Sequence, residues 1–205
     1  MDNLEMQEII MSVVAIAFAF ALMQVGGGIA SIANTEFFVM FPITLVTVGL
    51  GFVLHELAHR YVARSYGAYA VYRAWPTGLL IMLGLAVLGS GFLFAAPGAV
   101  YIYAQYITRK ENGIISVAGP MTNVALGLIF AVMSLVVPCS GTIFRLMHVA
   151  FVVGFQVNIF LALFNMIPMF PLDGSKVFAW DKGVWGSVVL ACIILLNLSP
   201  VTVCH

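Results

Sequence analysis

Long apolar runs, separated by short polar punctuation, set the pattern of this chain. The first run covers Ile9 to about Ala33 and carries Gly26-Gly27-Gly28 near its end, where a helix is expected to fray or kink. Asn34-Thr35-Glu36 reads as a turn. The second run, Phe37 to Ser65, has Pro42 fitting the first turn of a regular helix and Gly67 as its stop. Ile114 to Val137 and Phe144 to Ile167 follow, with a turn at 138–141 between them, and Trp185 to Leu198 is a short last run. A helix needs about 20 apolar residues to cross the hydrocarbon core of a bilayer. The pattern therefore predicts a mainly α fold: a polytopic membrane helix bundle with about five spanning helices.

Residues 66–113 do not fit this rhythm. Tyr69, Val71 and Tyr72 have strand character. An apolar run from Gly78 to Leu88 leads into Gly89-Ser90-Gly91, and a second, Phe92 to Tyr106, is interrupted by Pro97-Gly98. Hydropathy by itself makes Leu79 to Ala95 a spanning helix.

Composition supports the membrane class. The chain is 63% hydrophobic and 8% charged, with mean hydropathy +1.11, whereas a soluble domain is about 25% charged. Eight basic and eight acidic residues give zero net charge, which excludes the basic surface that a nucleic-acid partner requires. No interval is long enough for a separate soluble domain, so residues 1–205 are expected to form one domain embedded in the lipid bilayer. Asp2, Glu5 and Glu8, without Lys or Arg beside them, do not resemble a cleaved signal. Cys139, Cys192 and Cys204 are scattered without metal-binding spacing and read as small apolar residues.

The chemistry is concentrated in His55-Glu56-Leu57-Ala58-His59, inside the second run. Four residues apart on a helix, the two histidines lie one turn above each other on one face. Both imidazoles then reach one zinc ion, and Glu56 is placed to take a proton from water activated there. His55 falls about 20 Å along the helix from Pro42 at 1.5 Å per residue, well inside the membrane and toward the end marked by Arg60 and Arg64. Those arginines are expected to snorkel to the surface. Ionisable residues at such depth are costly and mark function by default.

A catalytic zinc takes three protein ligands and keeps one position for water. Asp173 is chosen as the third. It follows Asn165-Met166-Ile167-Pro168-Met169-Phe170-Pro171, where two prolines must unwind the helix, and it sits in a tight Pro-x-Asp-Gly turn. His148, near the other end of its span, reads as an interfacial histidine. The choice of Asp173 constrains topology. The span before it must run toward the Arg60 side, so 66–113 must begin and end on one side. Residues 78–104 then form a re-entrant or interfacial hairpin turning near Gly89-Ser90-Gly91, or cross twice. Arg60, Arg64, Arg73, Arg109, Lys110, Lys176 and Lys182 all fall on the cytoplasmic side in this arrangement, as the positive-inside rule expects, and Arg145 falls outside.

Three motifs in this order resemble the site-2 protease family of intramembrane zinc metalloproteases, especially its compact prokaryotic members. His55-Glu56-x-x-His59 looks like the zinc-binding helix. Gly119-Pro120-x-x-Asn123 resembles the element opening the next core helix, and Asn165-x-x-Pro168-x-x-Pro171-x-Asp173-Gly174 resembles the segment with the third ligand. Many members have a second glycine where this chain has Ser175. The resemblance frames residues 55–174. It implies one catalytic zinc on His55, His59 and Asp173, Glu56 as base, and hydrolysis of peptide bonds in or near transmembrane segments of membrane protein substrates. The site would lie in the cell membrane toward its cytoplasmic side. An extended substrate would pair with a strand edge in 78–104. Asn165 would hydrogen-bond substrate backbone or an oxyanion, with Asn123 in the same role or satisfying local backbone. The alternative is a membrane metal transporter or metal sensor using the same ligands without hydrolysis, disfavoured by the nearly pure apolar outer halves of the spans.

Overall fold

The computed structural model describes residues 3–91, 97–104, 106–138 and 140–198. In chain order these form α1 (Asn3–Gln24), α2 (Thr35–Ser65), β1 (Tyr69–Ala74), α3 (Pro76–Leu88), β2 (Gly98–Tyr103), α4 (Arg109–Val136), α5 (Thr142–Asn165), α6 (Asp173–Trp180) and α7 (Lys182–Asn197). Two compact units result, Met1–Tyr106 and Ile107–His205. Among the described residues four helices are long and apolar enough to cross a membrane: α1, α2, α4 and α5. The expected fifth span, α7, has 16 residues and is shorter than a crossing requires.

In the first unit, α1 packs on α2, α3 and β1. It begins before Ile9, bringing Glu5 and Glu8 into the helix, and ends at Gln24. Gly26, Gly27 and Gly28 all take positive φ (102°, 74° and 82°), which stops the helix outright instead of kinking it. A 3-10 turn over Ile29–Ala33 leads to Asn34, the extended residue that precedes α2. Pro42 lies inside α2 and not in its first turn. Close by, the Thr44 hydroxyl donates to Ala17 O at 2.8 Å and ties the two helices together.

β1 and β2 pair antiparallel, with Tyr69 opposite Tyr103 and Ala74 opposite Gly98. One step further, Trp75 N donates to Pro97 O at 2.8 Å. The chain between these two residues therefore leaves and returns at one place, as the topology argument requires. The expected hairpin is different in kind, however. Only β2 lies within 78–104; its partner β1 precedes the apolar segment, and α3 stands between them in place of a turn near Gly89-Ser90-Gly91. Pro76 at the first turn and the leucine-rich run after it favour a helix, while aromatic and branched residues favour the strands. α3 has 13 residues, about 20 Å, and so does not cross. Gly89 ends α3 in the left-handed region (φ 66°). Phe92 to Ala96, part of the expected second run, fall outside the described residues. At the sheet's far end Gly98 admits no side chain: a Cβ there would lie 2.1 Å from the Tyr72 hydroxyl oxygen.

In the second unit, α4 packs on α5 and α6, and α7 packs on α5 and α6. α4 begins at Arg109, ahead of the expected Ile114, because Thr108 and Glu111 form a capping box: Glu111 N donates to Thr108 Oγ1 at 3.2 Å and Thr108 N to Glu111 Oε2 at 2.8 Å. Gly119-Pro120 thus lies inside α4, not at its opening. The core gathers Phe155, Ile159, Ala162, Met166, Val177 and Cys192. His148 is buried, with Nδ1 3.1 Å from Ser134 O, so it joins α4 to α5. Leu128, Ile129, Val132, Leu135 and Val136 of α4 remain exposed, a surface suited to lipid and not to water.

Candidate metal centre

Within the first unit, α2 carries His55 and His59 on successive turns with Glu56 beside His55, and all three side chains are buried. Helical spacing brings the histidine rings to a centroid separation of 4.7 Å, with planes at 82°. Their Nε2 atoms face each other 3.0 Å apart. Two nitrogens on a tetrahedral zinc, at Zn–N of about 2.0–2.1 Å, lie about 3.3 Å apart. The pair therefore fits a shared zinc with a movement of a few tenths of an ångström. Twenty residues of apolar helix precede His55, so the pair is deep in a membrane-length segment.

The residues around this helix turn are polar in ways the hydropathy pattern did not reveal. Arg60 does not snorkel. It is buried, and its Nη2 donates to both carboxylate oxygens of Glu5 at 2.7 and 2.8 Å. Arg64, in contrast, is exposed. A cavity of about 450 Å³ opens beside α2, walled by Ile9, Val13, Val53, Leu57 and Val100, with Glu56, Arg60 and Tyr72 at its polar part. The two histidines are not in its lining. Burial, and after it the nearby Glu56 charge, push the Tyr72 phenol well above its usual range. Tyr72 therefore stays protonated, with its hydroxyl 2.8 Å from Ser12 Oγ.

In the second unit, Asp173 is the first residue of α6 and is buried. Lys176 Nζ stands 3.7 Å from its Oδ1, one helical turn away. The turn that delivers Asp173 depends on its neighbour. A Cβ on Gly174 would lie 2.2 Å from Met166 O and 2.6 Å from Ile167 O, so only glycine lets α6 close on the unwound segment. Ser175, where many resembling proteins have glycine, donates its hydroxyl to Leu172 O at 2.7 Å and holds the same turn. Trp185 Nε1 donates to Met166 O at 2.7 Å and satisfies a carbonyl at the buried end of α5.

The two candidate asparagines separate in character. Asn165, the last residue of α5, donates Nδ2 to Leu161 O one turn back at 3.0 Å. Asn123 is fully buried and donates to Asn158 Oδ1 at 3.1 Å, while Asn158 Nδ2 donates to Gly154 O at 2.8 Å. That chain joins α4 to α5. Asn158 escaped the sequence reading because a single asparagine in an apolar run has no period or motif to mark it.

Comparison with known proteins agrees on the chemistry. The chain is 43% identical over 189 residues to a Methanocaldococcus jannaschii protein that bears the provisional name of zinc metalloprotease, covering 92% of this chain and 91% of that one. A Bacillus subtilis protein with the same provisional name is 30% identical over 152 residues, covering 67% of this chain and 68% of its own. A second Methanocaldococcus jannaschii protein, named a zinc metalloprotease, is 28% identical over 149 residues, 72% of this chain and 36% of its length. No family model and no solved structure matches the chain. The chain belongs to this family of zinc metalloproteases, and it is a zinc-dependent protease with four membrane-length helices among its described residues.

Proposed function

We propose that this chain is an intramembrane protease of the site-2 type, cutting peptide bonds in or near the transmembrane segments of membrane protein substrates. The observation that carries the reading is the His55–His59 pair, facing at 3.0 Å within a 31-residue apolar helix. In this reading His55, His59 and Asp173 hold one zinc ion. The chemistry that a bound zinc supplies is Lewis-acid activation of water near neutral pH. Glu56, buried on the same helix turn, takes the proton from that water and passes it to the leaving amine. Asn165 accepts a substrate backbone N–H on its amide oxygen, or donates to the oxyanion the Nδ2 hydrogen not used on Leu161 O, whereas Asn123 serves the α4–α5 joint through Asn158.

A helical substrate has its backbone groups satisfied internally, so it must unwind before attack. The two-stranded sheet beside α2 supplies an edge on which an unwound segment can pair. The nearly pure apolar outer halves of the spans favour hydrolysis over metal transport, which needs polar groups along a through-path. The chain would lie in the cell membrane, with its site toward the cytoplasmic side. The experiment is reconstitution with a reporter carrying one 20-residue apolar span, followed by mass spectrometry of the products. A cut inside the span or within a few residues of its cytoplasmic end supports the reading. Cuts confined to soluble loops overturn it.

A further inference from the structure

β1 has two edges. Along one it pairs with β2. Along the other, three side chains stand where the backbone of another strand would be. Arg60 Nε donates to Ala70 O at 3.1 Å, Tyr72 N donates to Glu5 Oε1 at 3.0 Å, and Ala74 N donates to Glu8 Oε2 at 3.3 Å. Residues 70, 72 and 74 alternate, which is the period of one strand edge. The register agrees. Trp75 donates to Pro97, so the odd-numbered residues of β1 form the hydrogen-bonded pairs with β2, and the even-numbered ones turn N–H and C=O outward. Those outward groups are the ones taken.

The caps are also tied to one another and to the metal helix. Glu5 and Arg60 form a buried ion pair at 2.7 Å, and Arg73 Nη1 lies 3.5 Å from Glu8 Oε2. Arg60 directly follows His59 on α2. By the same register, Val100 and Ile102, opposite Tyr72 and Ala70, turn their N–H and C=O to the far edge of β2. Among the described residues the sheet has two strands.

We propose that Glu5 and Arg60 are positioning residues that close the β1 edge, so that an extended substrate backbone joins the sheet only beside Val100 and Ile102 and in one register relative to His59. This rests on the proteolytic reading above. The partner is an unwound, largely apolar peptide segment with free N–H groups at alternate positions. An open β1 edge would offer a second pairing site and a second register. A loosened Arg60 would let the sheet shift against the helix that holds the ligands.

The test uses the full chain in proteoliposomes, the one-span reporter, and the variants Glu5→Ala, Glu5→Gln and Arg60→Lys. Gln retains an acceptor for Tyr72 N–H and for Arg60, so Glu5→Gln is expected to cut the wild-type bond. Glu5→Ala is expected to lose about tenfold in kcat/KM, mainly through KM, and to cut at bonds one or two residues away, with full zinc content. Arg60→Lys, which cannot reach Glu5 and Ala70 O together, is expected to scatter the cut in the same way. Cleavage by Glu5→Ala at the unchanged bond, or loss of zinc in step with activity, overturns the proposal. If Glu5→Ala does not fold, wild type and a synthetic reporter N-methylated at successive residues decide it. Inhibition that alternates with a period of two supports registered pairing on one edge, and uniform inhibition overturns it. A wild type that cuts no reporter overturns the proteolytic reading itself, a result distinct from an unchanged bond in Glu5→Ala.

Discussion

His55 and His59 turn their Nε2 atoms toward each other across one helical turn, 3.0 Å apart and both buried. Two imidazoles so placed are a chelating pair, and each is expected to be needed for metal. His55→Ala and His59→Ala should purify with less than about a tenth of the wild-type zinc, since losing one of three ligands opens the site. Removal of zinc with a chelator should abolish cleavage, and added zinc should restore it. Asp173→Ala should lose zinc as the histidine variants do. Elemental analysis of the purified proteins checks all three, and wild-type stoichiometry in Asp173→Ala would remove Asp173 from the ligand set.

Gly174 sets the position of Asp173 through contact and not through flexibility. A Cβ at 2.2 Å from Met166 O has to move backbone, since the carbonyl belongs to the helix end and not to a mobile side chain. Gly174→Ala should destabilise the protein by about 1–3 kcal/mol, the usual cost of overpacking. It should also lower zinc affinity, because Asp173 moves with its neighbour. Thermal unfolding in detergent and zinc titration measure the two effects together.

The cap of α4 gives a pH dependence outside the membrane. Hydrogen bonds from the Thr108 side chain, and then from its backbone N–H, hold the Glu111 carboxyl below the ordinary value of 4.5. A carboxyl lowered on folding contributes stability that is fully present above its unfolded value and is lost as pH falls through the folded one. The protection factor of amides at the start of α4, the observed exchange rate set against the pH-dependent intrinsic one, should therefore be high at neutral pH and fall below about pH 4.5. Thr108→Ala should show low protection at both, and a protection factor independent of both pH and Thr108 would contradict the capping account.

Pairing of β1 with β2 returns the chain to its starting place, so Tyr69 and Tyr103 must share one side of the membrane. Single cysteines at these two positions should react with a membrane-impermeant thiol reagent from the same side, the cytoplasmic one in this account. Labelling from opposite sides would break the re-entrant arrangement.

Much of this molecule was legible in the order of its residues. Helical spacing placed His55 and His59 on one face, and two prolines forced the chain to unwind before Asp173. The need for a third ligand, together with the positive charges, indicated that 66–113 returns to its starting side. What escaped was non-local. The hairpin was expected to turn near Gly89-Ser90-Gly91 within 78–104, yet β2 pairs back around a helix with β1 ahead of that range, because pairing across more than twenty residues leaves no short-range turn signal. Arg60 was read as a snorkelling cation, since its partner Glu5 lies 55 positions away and only folding brings them together. The capping box at Thr108 and Glu111 is a local signal that the apolar pattern overshadowed, and it moved the start of α4 by more than a turn.

The central claim is that Glu56 acts as the base at a zinc site inside a membrane-length helix. The most direct test is cleavage of the one-span reporter by wild type and by Glu56→Gln, with zinc measured in both. The account predicts full zinc in the variant and a fall in kcat of about 10²–10⁴. Cleavage by Glu56→Gln at the wild-type rate, with zinc bound, would contradict it.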